Sequence, residues 1–410
     1  MEAATQTAQP LPTSPFAYRD FRLLWIGAFL SFMGSWIQNI AQGWLVFEMT
    51  RDPAKLGLVT FLGMAPVSLF GPFAGSLADM FNKRTVLILT QAVFACGSLF
   101  LAAATYFGFV EYWHILIVAV VVGMAGCIEM PTRQSIVSRV VPPELLPKAI
   151  PFNAMTFNLA RLLGPAIGAV LLANFGPEVC YGVNGLSYIA LILAAMAIKA
   201  DLSAMHREPQ PIKDLLFEGL LYTMRDKRLK TLFFMEATVS AFGLFYLPLM
   251  PAIAKEMLGL DKIGLGWAMT SVGVGAISGL LLMTRISHKP VRAMTVRVTM
   301  TTFALAMFVL SVSTTPYLAF PMLALMGMSA IMQFNTTNTL FQLLSPEHLR
   351  GRVLAMHIWA LAGAGSVFPF LFGGLASQTS LRVALAVGAS CVLIGAIAGW
   401  LNRKGLVGVE

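Results

Sequence analysis

Charge is what this sequence has least of. Asp, Glu, Lys and Arg make up 11% of its 410 residues, where an ordinary soluble protein carries about 25%. With 57% hydrophobic residues and a mean hydropathy of +0.76, that scarcity excludes a disordered chain and argues against a soluble enzyme. Clustered metal ligands are missing too. The four cysteines, Cys96, Cys127, Cys180 and Cys391, stand in separate apolar segments, and the five histidines are scattered. Neither a disulfide framework nor a structural zinc site is indicated. The motifs G-x-S-x-G, H-E-x-x-H and G-x-x-x-x-G-K-[S/T] do not occur. The chain is therefore read as a non-enzyme that needs no cofactor or metal. Lacking a nucleotide domain, the chain could not use ATP by itself, and any transport it performs alone would need a gradient.

Alternating apolar and polar strands of about 10 residues, the mark of a β-barrel, are absent. Long unbroken runs such as ILIVAVVVGMAG at 115–126 stand in their place. A membrane helix takes about 20 apolar residues. Twelve candidate spans can be read, near 21–47, 56–78, 85–107, 112–138, 150–174, 179–199, 231–252, 262–284, 293–314, 316–344, 353–377 and 381–402. The fold class is an all-α membrane protein with twelve transmembrane helices in two pseudo-symmetric six-helix bundles. Residues 1–20 form an N-terminal tail, 21–199 the first bundle, 200–230 a charged linker, 231–402 the second bundle and 403–410 a C-terminal tail. Within the linker, IKDLLFEGLLYTM at 212–224 carries an apolar stripe and is expected as a surface helix on the inner membrane face. No basic region precedes the first span, so that span is expected to stay uncleaved.

The net charge of +9 reflects topology and gives no reason to expect a nucleic-acid partner. With both termini in the cytoplasm, Lys and Arg in the inner segments outnumber those in the outer ones about fourfold. Inner cations include Arg19, Lys83, Arg84, Arg139 and Arg350; Arg51, Lys55, Lys255, Lys262 and Arg382 lie outside. The chain is placed in a membrane, with the lipid bilayer as a partner, and a monomer is expected. Arg297, inside a span, is read as snorkelling to the interface.

The halves echo one another at an offset of about 204 residues: GMAGCIEMPTRQS at 123–135 with GMSAIMQFNTTNT at 327–339, and Gly75 and Leu77 with Gly279 and Leu281. A parallel repeat with a midplane site between its halves is a transporter architecture.

The most informative polar cluster is Glu129, Pro131, Arg133 and Gln134 in the fourth span. Glu129 stands about 15 Å from the inner end, near the midplane, where charge is costly and usually faces a cavity or a partner. Glu129 and Arg133 are four apart and share a helix face. Arg161 has a similar depth on the next helix, so the three are expected to meet between the halves as a substrate or proton site; a static buried network is the alternative. A proton or an anionic substrate would compete for the pairing. Gln38 and Gln42 share a face of the first span, and Gln333, the repeat partner of Glu129, and Asn338 lie in the tenth; these join the expected pathway. Asn153, Asn158 and His357 are read as helix–helix hydrogen-bonding groups, and Glu236 as shallow enough to snorkel or pair with Lys230. Gly164 and Gly168 form a small-xxx-small face; Pro131 and Pro165 each remove a backbone donor and can kink their helices. The 24 Met and 29 Phe suit a surface that accepts varied apolar ligands.

The loop GSLADMFNKR at 75–84 places Asp79 at a helix C-terminus, where the macrodipole disfavours an acid, so a cation or another helix N-terminus must stabilise it. This segment resembles the signature loop of the major facilitator superfamily at Gly75, Leu77, Asp79, Lys83 and Arg84, with Asn82 where that family usually has Gly. The resemblance implies a cytoplasmic gate formed by Gly75, Asp79, Lys83 and Arg84. LARLLGPAIGA at 159–169 resembles the Gly-Pro motif in the fifth helix of exporters in that superfamily, with Ala160 and Ala169 in place of glycines. The opening stretch 16–53, EMPTRQS, NLARLLGP and GLLYTMRDKRLKTLFF resemble its enterobactin-exporter-like branch, which includes siderophore, macrolide and multidrug effluxers. The resemblance implies a secondary transporter that exports bulky amphipathic small molecules by alternating access, with a proton as coupling ion. A nutrient or metabolite importer, or a non-transporting sensor or assembly factor, remain the alternatives.

Overall fold

The computed structural model describes residues 14–203, 212–286 and 292–402, with side chains throughout except at 71–79, 212–217, 286, 292, 348 and 364. Among the described residues there is helix and no strand. In a bilayer this is the economical solution, because a helix satisfies its own backbone groups where water is absent. The helices are α1 (Arg19–Thr50), α2 (Pro53–Asp79), α3 (Lys83–Tyr106), α4 (Tyr112–Val140), α5 (Leu146–Ala197), α6 (Ile212–Arg225), α7 (Lys227–Phe242), α8 (Met250–Ala252), α9 (Lys262–Ile286), α10 (Arg292–Val312), α11 (Pro316–Leu344), α12 (Arg350–Gln378) and α13 (Leu381–Leu401).

Two elements differ from the simple span count. The 52 residues of α5 would reach about 78 Å as one straight helix, well beyond a hydrocarbon core of about 30 Å. Gly176 breaks it, with φ 83° and ψ 170°; only glycine takes such a conformation freely, and Pro177 follows. The expected seventh span is broken as well. From α7 the chain passes through a 3-10 turn (Leu244–Tyr246), α8 and a π-helical turn (Ile253–Met257), with a bend of 44°. Gly243, Pro248 and Pro251 fall in this stretch, and each proline deletes a helix donor. Among the described residues, ten helices are long and apolar enough to cross a membrane, or eleven with the bent pair as one span. Counting the two arms of α5 separately brings the number to twelve, as the sequence predicts.

Both described chain ends and the linker helix emerge at one end of the bundle, the terminal end. Here Arg84 donates to the carbonyls of Ile198 at 2.6 Å and Ala200 at 3.3 Å, and Arg19 to that of Ala197 at 3.0 Å. Asp20 accepts from the N–H groups of Lys199 and Ala200. The arginines satisfy carbonyls at and just past the end of α5, and Asp20 satisfies the N–H groups that follow it. At the start of α7, Asp226 accepts from the N–H groups of Arg228 and Leu229. Burial opposes its charge, but these bonds and the Arg228 guanidinium hold its carboxyl below the usual value. Helix α6 packs on α12: Gly219 lies so close to the Arg352 carbonyl that a Cβ would stand 2.6 Å from it, and Glu218 pairs with Arg352.

Helices α1–α5 pack mainly on one another, and α7–α13 do likewise. Across the two groups the principal packing is α2 on α12 and α5 on α9, with smaller contacts from α1 to α8 and α9. Small residues permit this approach. A Cβ on Gly57 would lie 2.2 Å from the Pro369 carbonyl, and one on Gly266 2.2 Å from the Ala169 methyl. Repeat-related glycines do corresponding work within the groups: Gly123 sets α4 against Gly63 of α2, and Gly327 sets α11 against Val272 of α9.

The cross-group contacts gather in the half away from the terminal end. There Lys255 donates to Glu48 at 3.2 Å and lies 4.7 Å from the Trp44 ring centre. Ser377 bonds to Asp52 and accepts from the Ala54 N–H at 3.1 Å. Toward the terminal end, α4 and α11 do not pack substantially on one another among the described residues.

Candidate functional site

A cavity of about 610 Å³ lies beneath this far-end seal, between the two groups. Its apolar wall includes Trp36, Met64, Phe94, Met250 and Met269, and its polar groups include Gln38, Asn39, Gln42 and Asn184. Most of the lining comes from the first group; α8 and α9 supply the opposite wall. Such a site can hold an apolar body and fix its orientation with few polar contacts.

The polar side of this cavity is a connected network. Gln38 Oε1 accepts from Asn184 at 2.6 Å and from Ser98 at 2.7 Å. Asn184 also donates to the Tyr188 hydroxyl at 3.2 Å, and Tyr188 meets Ser35 at 3.0 Å. Gln38 donates to Gln42 at 3.5 Å. Gly34 makes the arrangement possible, since a Cβ there would lie 2.2 Å from Ser187 Oγ and 2.6 Å from Asn184 Oδ1. The sequence reading found Gln38 and Gln42 and missed Ser98, Asn184 and Tyr188. A four-residue spacing of Asn184 and Tyr188 on one helix face was the available signal.

The expected charged pair is present next to this network. Arg133 Nε donates to Glu129 Oε1 at 2.8 Å, with side chains 8% and 12% exposed. Gln91 donates to the same carboxylate oxygen at 3.4 Å and accepts from Ser31 at 3.4 Å. The Arg133 guanidinium lies 4.2 Å from the centre of the Phe32 ring, and Phe32 lines the cavity. Phe32 thus touches both the cavity and the guanidinium of the ion pair. Pro131, one turn before Ser135 on α4, has no N–H to offer the Cys127 carbonyl. Gln134 is exposed.

Arg161 does not join this pair. It makes no hydrogen bond or ion pair among the described residues, and its electrostatic neighbour is the Tyr246 phenol. Its carbonyl instead faces Gly273 of α9. The reason is rotational. Depth along a helix fixes height, not direction, and the first arm of α5 turns toward α1 and α9. On that arm Gly164 and Gly168 receive Trp36 and Ile37 of α1, and the Pro165 carbonyl faces Gly266 of α9. These residues bring helices close, as the small-xxx-small pattern predicts.

Other expected positions are placed elsewhere. Gln333 is fully buried on α11 and donates to the Met235 carbonyl at 3.4 Å. Asn338 accepts from Gln342 at 2.6 Å near the terminal end. Neither lines the cavity. Arg84 is engaged with the end of α5, and Lys83 is buried there, its N–H on the Leu202 carbonyl. The side chains of Gly75 and Asp79 lie outside the described residues. Arg297 is buried and donates to the Gly399 carbonyl at 3.1 Å beside Trp400; it does not snorkel. Glu236 is not shallow and does not pair with Lys230. It is fully buried, with Oε2 2.6 Å from His357 Nδ1 on α12.

Comparison with known proteins adds to this geometry. The model of a family described as transmembrane secretion effector matches residues 11–404. The staphyloferrin A transporter of Staphylococcus aureus is 25% identical over 263 residues, 63% of this chain and 65%, just under two thirds, of that protein. The multidrug efflux pump Tap of Mycobacterium tuberculosis is 24% identical over 395 residues, 92% of each chain. Macrolide efflux protein A of Streptococcus pyogenes is 22% identical over 345 residues, 82% of this chain and 84% of that one. Among solved structures, a peptide transporter POT gives a TM-score of 0.79 at 11% identity, covering 96% of each chain. The nucleoside transporter NupG gives 0.73 at 16% identity, covering 94% of this chain and 99% of that one.

Proposed function

The chain belongs to the transmembrane secretion effector family of major facilitator transporters, and from that membership we propose that it is a proton-coupled exporter of bulky amphipathic small molecules, siderophore-like or drug-like. It is a multi-pass integral membrane protein, and we place it in a bacterial inner membrane with both termini in the cytoplasm. The excess of Lys and Arg at the terminal end supports that orientation. The far-end seal then closes the outer side, and the structure is the inward-facing state of an alternating-access cycle.

The observation that carries the proposal is the position of the cavity. It lies between the two helix groups, sealed at one end by Glu48–Lys255 and Asp52–Ser377, with an apolar, Met- and aromatic-rich wall and a few fixed polar groups. Reversing the seal would carry a bound molecule from one side to the other. The efflux proteins similar to this chain support the outward direction.

Coupling by Glu129 has a sign that linkage fixes. A proton on Glu129 frees Arg133, so a proton and an anion held by Arg133 favour one another and travel together. That arrangement suits uptake with inward proton flow. Export against inward proton flow requires the proton and the substrate to exclude one another. This condition is met when the substrate presents a cationic or hydrogen-bond-donating group to the Glu129 carboxylate. In the inward-facing state the substrate occupies the ionised site; outside, a proton takes its place. Everted vesicles with an acidified lumen should therefore accumulate dyes or macrolides, and the accumulation should collapse with the gradient. Accumulation driven in the opposite direction would favour an importer, and none with any probe a non-transporting role.

A further inference from the structure

A second buried pair lies in the other half of the molecule, outside the cavity. His357 Nδ1 and Glu236 Oε2 are 2.6 Å apart, on helices joined by no short loop, with side chains 6% and 0% exposed. The other carboxylate oxygen, Glu236 Oε1, is buried with no hydrogen-bond partner, and so is Gln333 Oε1 nearby on α11. An ionised carboxylate in that position would have one oxygen facing no donor at all.

Among the described residues, no lysine or arginine pairs with Glu236. The ionisable side chain in contact with Glu236 is His357. On α7 itself, Lys230 stands about 9 Å toward the terminal end, with Lys227 and Arg228 beyond it; Arg228 is held by Asp226 at 2.9 Å. On α12, Arg352 is held by Glu218 of α6, and Arg350 begins the helix. On α6 lie also Lys213, Asp214, Tyr222 and Arg225, and the turn before α12 holds Glu347, all at the terminal end. On α11 the charged residue types are absent from Pro316–Leu344. On α13, Arg382 begins the helix at the far end, bonded to the Ser311 carbonyl. On α2, Lys55 is at the far end and the side chain of Asp79 lies outside the described residues. The 3-10 turn contributes the Tyr246 phenol.

We propose that Glu236 and His357 form a proton-binding site that holds one shared proton and thereby clamps α7 to α12. With no proton, the pair is a bare carboxylate in a dry interior; with two, it is a bare imidazolium. Both leave an uncompensated charge where solvation is poor. With one proton the pair is neutral overall, whichever atom carries it, and the proton is held in a short hydrogen bond of 2.6 Å. In water at about pH 8 the same two groups would hold almost no proton between them, since ordinary values are about 4.3 for Glu and about 6.5 for His. This site is distinct from Glu129 and does not depend on the direction of transport.

The test uses the full chain in lipid nanodiscs, with histidine labelled by nitrogen-15 and His114, His206, His288 and His348 replaced by Gln so that His357 alone reports. At about pH 8, above the ordinary imidazole value of about 6.5, either the nitrogen spectrum shows an imidazolium or the infrared spectrum shows a protonated carboxyl. Glu236→Gln should remove that one proton, leaving a neutral ring. A neutral imidazole together with an ionised Glu236 in the otherwise intact chain overturns the proposal. The infrared band is assigned to Glu236 by its loss in Glu236→Gln or, should that variant not fold, by its shift in Glu236→Asp, which keeps the carboxyl.

Discussion

The guanidinium of Arg133 is held between two partners: Glu129, 2.8 Å away and one turn earlier on α4, and the ring of Phe32 on α1, 4.2 Å away. The first contact neutralises its charge. The second adds a cation–π attraction. A molecule that displaces Phe32 in the cavity would therefore also disturb the guanidinium.

Arg133→Ala leaves Glu129 with Gln91 as its hydrogen-bond donor. Removing one member of a buried pair costs about 3–5 kcal/mol, so thermal unfolding in detergent should begin well below that of the unaltered chain. Phe32→Ala removes the ring while sparing the pair, and should alter the choice of transported dye more than stability. Equal thermal loss in both variants would show that Phe32 is only a packing residue.

Gly57→Val should prevent the far end from closing. Its Cβ would meet the Pro369 carbonyl, a backbone atom that cannot rotate away. The predicted readout is disulfide formation in an Asp52→Cys, Ser377→Cys background, which should be efficient with Gly57 and several-fold lower with Val. Efficient crosslinking in the valine variant would place the helices further apart than the structure has them.

Lys255→Ala removes both the Glu48 bond and the Trp44 contact. Exposed ion pairs contribute about 0.2–1 kcal/mol, and an exposed cation–π contact about 0.5–1 kcal/mol. The inward-facing state should lose part of its population without the protein losing its fold. A Gln42→Cys probe should then react faster with an impermeant maleimide added from outside. The exchange Glu48→Lys, Lys255→Glu should restore only part of the protection, because it rebuilds the ion pair without a cation over Trp44.

Arg84→Ala tests whether the basic loop acts as a gate or as a cap. Arg84 completes the carbonyls at the end of α5, and hydrogen bonds from charged groups contribute about 1.5–3 kcal/mol. Stability should fall by about that amount, with Arg84→Lys recovering part of it. Lost transport at unchanged stability would instead assign Arg84 to gating.

Much of this architecture can be read in the sequence because bilayer physics leaves few choices. Apolar runs give the spans, and the i, i+4 spacing gives the Glu129–Arg133 pair, since both follow from helix geometry alone. Direction around a helix axis does not. Arg161 has the right depth and the wrong azimuth, which the packing of α5 on α1 and α9 decides. Glu236 and His357 are 121 residues apart, and no local pattern links them. The same is true of Gln38 with Ser98 and Asn184. The bend after α7 is visible as Gly243, Pro248 and Pro251, but its extent depends on how α8 meets α1 across the cavity.

The central claim is that a proton and the exported molecule exclude one another at Glu129. It is tested most directly by dye accumulation in everted vesicles made with the unaltered chain and with Glu129→Gln, each with and without an acidified lumen. The account predicts that the unaltered chain accumulates dye only with the gradient, while Glu129→Gln, present in the membrane at the same level, shows no response to it. Gradient-driven accumulation by Glu129→Gln equal to that of the unaltered chain would contradict it.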